Sequence, residues 1–321
     1  MPYIELHARS AFSFLAGASL PESLAYACVQ RELPAMALLD RSGVYGSARF
    51  HVTAKANNIK AHVGAEISVL GGLGSPGSSY YPLVVQSRKG YQNLCRLITK
   101  TKLRALKNTP TAATLPELEE QASGLLCLTG DEDGPLAQAL YSGGKAEGRY
   151  LLEHVIHIFG PGNVYVELQR HFRPDQEYRN HAAIELAREL KVPLLATNGV
   201  LYATPSDSEV LDALTCIKNK CTLDTAGTRL QVNSKRHVRS NREMAQIFAD
   251  LPEAIAHTTE LSSRLEFTLE NLGYRFPPYR VPEGGTEIEF LRAEVLKGAH
   301  DRYRSITEKV RRQLERELIL I

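Results

Sequence analysis

Seven short apolar runs mark the chain up to about residue 204: Tyr3–Leu6, Ala35–Leu39, Val63–Ile67, Leu83–Val85, Leu125–Leu128, Val164–Leu168 and Pro193–Ala196. Runs this short and this evenly apolar suit strands covered on both faces. Most are separated by stretches of helical pattern, and that alternation predicts an α/β fold with parallel strands. In a closed barrel of such strands the chain ends converge on one face, where these folds build active sites. Polar or ionisable residues stand at or just past several of the ends: His7, Asp40, Glu66, Asp131 and Asn198. A polar cluster at the barrel mouth is therefore expected.

Local signals place the connecting helices. Pro21 opens the first, with Ser19 as candidate N-cap, residues 47–57 give the second, and residues 175–190 give an amphipathic one before the seventh strand. Gly71–Ser79 reads as a flexible loop; it has the glycines of a phosphate cradle but no Lys-Ser/Thr pair follows. From Pro205 the texture turns helical. Ser206–Glu209 opens a short helix, and Ser240 with Glu243 forms a capping-box pattern. Leu272–Gly285 is rich in Pro and Gly and reads as a linker. Beyond it, Ile306, Val310, Leu314 and Leu318 repeat every fourth residue on a helical segment that stops on apolar Leu318–Ile321 without a C-cap. Such an ending is expected of a piece of a longer polypeptide.

Composition excludes several classes. With 43% hydrophobic and 23% charged residues among 321, this is a globular chain large enough for more than one domain. A net charge of +2 does not by itself imply nucleic-acid binding, but its distribution is uneven. Residues 67–116 hold no acid and seven bases: Arg88, Lys89, Arg96, Lys100, Lys102, Arg104 and Lys107. These are candidate phosphate or partner contacts, and a solvated helix face is the plainer alternative. Residues 218–242 carry seven more bases against Asp224 alone. There is no Trp, and no aromatic stacking platform is evident. Five scattered cysteines without a CxxC pair exclude a zinc ribbon and suit a reduced cytoplasm. The N-terminus is not a secretory signal, and no run of ~18 apolar residues spans a membrane. His154 and His157 have metal-compatible spacing but no carboxylate partner stands out, while His171 and His237 are expected to face solvent or phosphate.

The motif His7-Ala8-Arg9-Ser10-Ala11-Phe12-Ser13-Phe14-Leu15 resembles the opening of the polymerase-and-histidinol-phosphatase (PHP) domain of bacterial C-family DNA polymerases. Its Phe-Ser-Phe-Leu spelling favours the error-prone branch. Further similar stretches are Gly90–Thr99, Val166–His171, Leu195–Val200, Phe248–Ala254 and Arg264–Leu269, and Arg312–Leu318 resembles the helix entering a polymerase palm. The resemblance covers essentially the whole chain. It implies an irregular (β/α)7 barrel over residues 1–204, a helical extension over 205–271, a linker over 272–285 and the first palm segment over 286–321.

The resemblance also implies a nine-position metal site, and here this chain departs from its family. His7, Asp40 and Glu66 stand where ligands are expected, whereas Arg9, Arg41, Tyr81, Gly199 and Leu201 replace ligands and Asp131 replaces a Cys. Clusters that activate water for phosphoester hydrolysis need several ligands per ion, and a guanidinium opposes a bound cation at any working pH. The expectation is a degenerate, non-catalytic site without metal, holding an Arg–carboxylate bridge, most readily Arg9 to Glu66 or Asp40. For a complete polymerase the resemblance implies DNA-templated synthesis past damage with Mg²⁺ in the palm, and involvement in repair and replication. Implied partners are DNA, the protein's own palm and thumb, a sliding clamp and mutagenesis accessory proteins. Two rivals are a residual phosphoesterase or 3′–5′ exonuclease using His7, Asp40, Glu66 and Asp131, and a free-standing binding protein.

Overall fold

Seven strands follow one another in the sheet in chain order, β1 (Glu5–Ala8), β2 (Ala35–Arg41), β3 (Lys60–Leu70), β4 (Ser78–Val85), β5 (Leu125–Leu128), β6 (Val164–Leu168) and β7 (Leu194–Ala196). The computed structural model describes residues 2–70, 77–106, 111–270, 272, 278–281, 285–303 and 305–321. All seven apolar runs lie in or beside these strands. Helices α1 (Pro21–Gln30) and α2 (Ser47–Ala56) return the chain between the first three strands, which pair in parallel. Helices α3 (Arg88–Arg104) and α4 (Leu115–Glu120) link β4 to β5, α5 (Pro135–Phe159) links β5 to β6, and α6 (Pro174–Leu190) links β6 to β7.

One strand corrects the all-parallel expectation. β4 is antiparallel to both β3 and β5. Parallel neighbours need a crossover, and no helix lies between β3 and β4 among the described residues. The sheet curls until the segment past β7 reaches β1: Arg9 N–H donates to Val200 O at 2.8 Å and Val200 N–H to His7 O at 3.0 Å.

Alternation along the strands separates two cores. Ala37, Leu39, Val84, Leu126, Leu128, Tyr165 and Leu195 form an inner cluster with Leu261 and Leu265. Their neighbours Met36, Leu38, Val63, Ile67, Leu83 and Val166 pack in a larger cluster with helical residues. Each fully buried aliphatic side chain contributes roughly 1.5–3 kcal/mol, so both faces of the sheet hold it in register.

Beyond β7, a 3₁₀ turn (Pro205–Asp207) leads into α7 (Ser208–Asn219), followed by α8 (Leu223–Ala226), α9 (Asn241–Ile247) and α10 (Pro252–Arg264). The capping box of Ser240 and Glu243 is formed. Ser19, by contrast, does not cap α1, whose N-cap is Leu20; its hydroxyl donates to Asp207 and accepts from Ala203 N–H. Ser78 and Ser79, read as loop, begin β4, while Gly71–Pro76, Lys107 and most of the 272–285 linker lie outside the described residues.

The chain divides into two compact units, Met1–Glu270 and Asn271–Ile321, so residues 205–270 share a unit with the barrel. The second unit contains α11 (Glu287–Arg302) and α12 (Glu308–Leu320). Ile306 precedes α12 rather than belonging to it, because Thr307 is the N-cap. Leu318 is buried, and Arg292 of α11 pairs with Glu315 of α12 at 2.6 Å.

Candidate functional site

The barrel mouth is built around Glu66, which reaches inward from β3 and is fully buried. Arg9, just past β1, engages it side-on: Nε donates to Oε2 at 2.7 Å and Nη2 to Oε1 at 2.5 Å. Arg9 Nη2 also donates to Asp131 Oδ2 at 2.7 Å, just past β5. Arg41, at the end of β2, donates to Glu66 Oε2 at 3.2 Å and to Asp133 Oδ2 at 2.5 Å, and stacks over the Tyr80 ring at 4.2 Å.

His7 completes the ring from below. Its Nε2 lies 2.6 Å from Glu66 Oε1 and its Nδ1 2.7 Å from Glu167 Oε1. Two carboxylate partners call for two N–H donors, so the ring is an imidazolium. Burial opposes that charge, but Glu167 and Glu66 outweigh it and hold the His7 pKa up at about 10. Against the cost of burial, Arg9, His7 and Arg41 keep Glu66 ionised far below the usual carboxylate range. Asp131 is likewise depressed, by Arg9 and Arg236. Glu5 goes the other way: burial pushes it up to about 7 although Tyr3 Oη–H, His7 N–H and Asn198 N–H all donate to it.

The sequence reading overlooked Glu5, Glu167, Gln169 and Arg236. Gln169 Nε2 and the Thr197 hydroxyl both donate to Glu167 Oε1. Arg236 arrives from the segment between α8 and α9, over thirty residues past β7, with no periodicity to announce it. It is 3% exposed and donates to Asp131 (2.9 Å), Glu132 (2.9 Å) and Gly199 O (2.9 Å). The one available signal was the excess of bases over acids in that stretch.

Several expected positions sit elsewhere. Asp40 does not join the arginines: its oxygens accept from the Ser10 and Ser13 hydroxyls and the N–H groups of Ser10 and Gly46, pinning the loop after β1. Tyr81 belongs to the outer core, because its strand neighbours put Tyr80 on the mouth side. Gly199 contributes only its carbonyl, and Leu201 packs with Tyr202 and Leu211. Asn198 Nδ2 donates to the carbonyls of Lys235 and His237, tying down the Arg236 segment. His171 and His237 are buried rather than solvent- or phosphate-facing; His171 lies between Asn198 O and Gln176, and its pKa falls to about 4, mainly through burial. His154 and His157 lie along α5, with His157 exposed and 3.9 Å from Glu119.

The basic stretch on α3 is partly neutralised. Arg104 pairs with Glu117 at 2.6 Å, Lys100 with Glu120 at 3.2 Å, Arg96 donates to Asn93, and Lys102 approaches the Tyr45 ring. Arg88 and Lys89 lie in its first turn, and Lys89 is exposed.

The donor set at the mouth does not fit a metal ion. Both oxygens of Glu66 and Oδ2 of Asp131 are filled by guanidinium or imidazolium N–H groups, Asp131 Oδ1 accepts from Asp133 N–H, and both nitrogens of His7 face carboxylates. A cation there would meet three guanidiniums within the same cluster.

Relatives in sequence cover nearly the whole chain. An error-prone DNA polymerase of Mycobacterium tuberculosis is 36% identical over 307 residues, covering 94% of this chain and 28% of that protein. One from Symbiobacterium thermophilum is 31% identical over 336 residues, covering 100% and 30% respectively. The chain thus spans less than a third of the length of these relatives. A crystal structure from Bifidobacterium adolescentis, assigned to the metal-dependent phosphoesterases, superposes with a TM-score of 0.44 at 12% identity, covering 62% of this chain and 87% of that one. The PHP domain family model matches residues 5–171, more than half of the chain, and the chain belongs to the PHP domain family.

Proposed function

We propose that this chain is the PHP module of an error-prone DNA polymerase and that its barrel mouth is a structural, non-hydrolytic centre. The observation that carries the second half is the side-on seat of Arg9 on Glu66, with Arg41, Arg236 and His7 taking the remaining carboxylate positions. Such a cluster ties β1, β2, β3, β6 and the segment just past β5 to the Arg236 segment. Both oxygens of Glu66 and of Asp131 are engaged, which leaves neither carboxylate free to ligate a metal or to act as a general base toward water. In this reading the module supports the rest of a longer polymerase, and polymerisation belongs to regions of the relatives that this chain does not cover. DNA, Mg²⁺, a clamp, mutagenesis accessory proteins and a cytoplasmic role in damage tolerance come with that longer protein.

Two measurements test the reading. Elemental analysis after purification without chelator should find only substoichiometric transition metal, and added Mn²⁺ or Zn²⁺ should yield no phosphodiester hydrolysis. Stoichiometric metal with hydrolysis abolished by Glu66→Gln would establish the phosphoesterase alternative instead. Mg²⁺-dependent primer extension should be found in the product of the full coding sequence and not in residues 1–321 alone. A full-length product that cannot extend a primer would overturn the polymerase assignment.

A further inference from the structure

Helix α7 ends in a motif that sets two cysteines against each other. Lys220 takes the left-handed conformation (φ 52°, ψ 45°) as the chain leaves the helix. Cys221 N–H then donates back to Cys216 O at 3.0 Å and Lys220 N–H to Ile217 O at 3.2 Å. This paired pattern is the Schellman motif, whose first and last residues normally make a side-chain contact across the turn. Here both residues are cysteines. Burial, and after it the neighbouring Cys221 sulfur, raises the Cys216 thiol pKa. The main-chain bond holds the two residues side by side, and a disulfide needs a Cα separation of ~4.4–6.8 Å.

We propose that Cys216 and Cys221 form a reversible intrachain disulfide when the protein meets hydrogen peroxide. Cys221 is half-buried and reachable from solvent, whereas Cys216 is 7% exposed. The Cys221 thiolate attacks the peroxide O–O bond; it becomes a sulfenic acid and the departing oxygen leaves as water after protonation. The Cys216 sulfur then attacks the Cys221 sulfur, the S–O bond breaks, and the hydroxyl leaves as a second water. Two thiols are oxidised, one peroxide is reduced, and a small-molecule dithiol reverses the step by exchange.

The other three cysteines have no such arrangement. Cys28 donates to the Met36 sulfur, Cys127 to Leu128 O, and Cys95 lies beside Tyr91. The consequence reaches the barrel mouth along the chain. Cys221 starts the segment that runs through α8 to Arg236, so the disulfide staples its first residue to α7. Asn233 and Arg236 already fix its far end, by hydrogen bonds to His171 O and Gly199 O.

Peroxide treatment followed by thiol counting in denaturant tests the proposal. The count should fall from five to three and return with dithiothreitol. In a non-reducing tryptic map, Val192–Lys218 and Cys221–Arg229 should travel as one linked species, because cleavage after Lys218 and Lys220 falls between the two cysteines. Hydrogen exchange over residues 222–230 should slow in the oxidised form. Cys221→Ser should keep all four of its remaining thiols under the same treatment; this position is half-buried, so the variant is expected to fold. Retention of all five thiols in the parent, linkage between other cysteines, or loss of thiols without a linked peptide would overturn it.

Discussion

Arg9 and Glu66 face each other edge to edge at the barrel mouth, two N–H groups on two oxygens, with both side chains at least 96% buried. A planar fork matched to a carboxylate is the geometry in which arginine differs most from lysine. Removing one member leaves the other charged and buried, typically at a cost of ~3–5 kcal/mol. Arg9→Ala should therefore lower the unfolding free energy in urea by about that amount. Lys89→Ala, on the exposed first turn of α3, should change it by no more than ~0.5 kcal/mol. Equal stabilities of the two variants would rule out the structural role of the bridge.

His7 gives the site a pH signature. Its folded pKa of about 10 lies above the ordinary value of 6.5, so its protonated form is favoured by folding. The stability it contributes is complete below 6.5 and is lost as pH rises towards 10. Glu5, raised from 4.5 to about 7, acts in the same sense over a lower window, its contribution fading between those values. Glu66 is depressed, so its contribution is present above 4.5 and is lost on acidification below that. Stability measured by denaturation across pH should thus decline on the alkaline side, and His7→Gln should flatten the limb between neutrality and pH 10. An unchanged alkaline limb would show that His7 is neutral in the folded protein.

How far the sequence reveals this site depends on the kind of signal each residue carries. His7, Arg9, Glu66 and Asp131 follow or end apolar runs, so a strand pattern alone brings them to one mouth. Tyr81 shows the limit: a shift of one residue along a pleat exchanges the mouth for the outer core, and only pairing fixes that parity. Asp40 sits at a strand end as expected, yet two serines and a glycine N–H in nearby loops capture it. Glu167 lay within the Val166–His171 motif but looked like a strand residue, and its partner His7 is 160 positions away. Arg236 comes from irregular chain, where neither period nor cap marks which base turns inward. The reversed β4 is another such case, since direction follows from the connection and not from the strand's own composition.

Gly199 supports the mouth through its backbone. Its φ of +53° is in the left-handed region, and an added Cβ would stand 2.4 Å from Gln169 Nε2. That amide donates to Glu167 at 2.7 Å, so displacing it loosens a partner of His7. The left-handed conformation alone costs a non-glycine residue roughly 1–2 kcal/mol. Gly199→Ala should destabilise by at least that much and lower the folded pKa of His7, read by NMR titration of the imidazole. A variant as stable as the parent would show that the loop relaxes without disturbing Gln169.

Tyr81 separates a role in the site from a role in packing. Its ring is buried in the outer core, and its hydroxyl has no hydrogen-bond partner among the described residues. Burial, and secondarily Cys127, raises its pKa far above the ordinary phenol range, so it stays neutral and cannot act as an anionic ligand or base near neutral pH. Losing a buried hydroxyl that lacks a partner is close to neutral or stabilising, whereas losing a bonded one typically costs ~1 kcal/mol. Tyr81→Phe should therefore match the parent or gain up to ~1 kcal/mol in urea denaturation. The same replacement at Tyr3, whose hydroxyl donates to Glu5 at 2.6 Å, should be destabilising, because it removes a donor from a buried carboxylate. If Tyr81→Phe proved the more damaging of the two, the Tyr81 hydroxyl would have to be engaged at the barrel mouth, with β4 turned over so that Tyr81 and not Tyr80 faces Arg41.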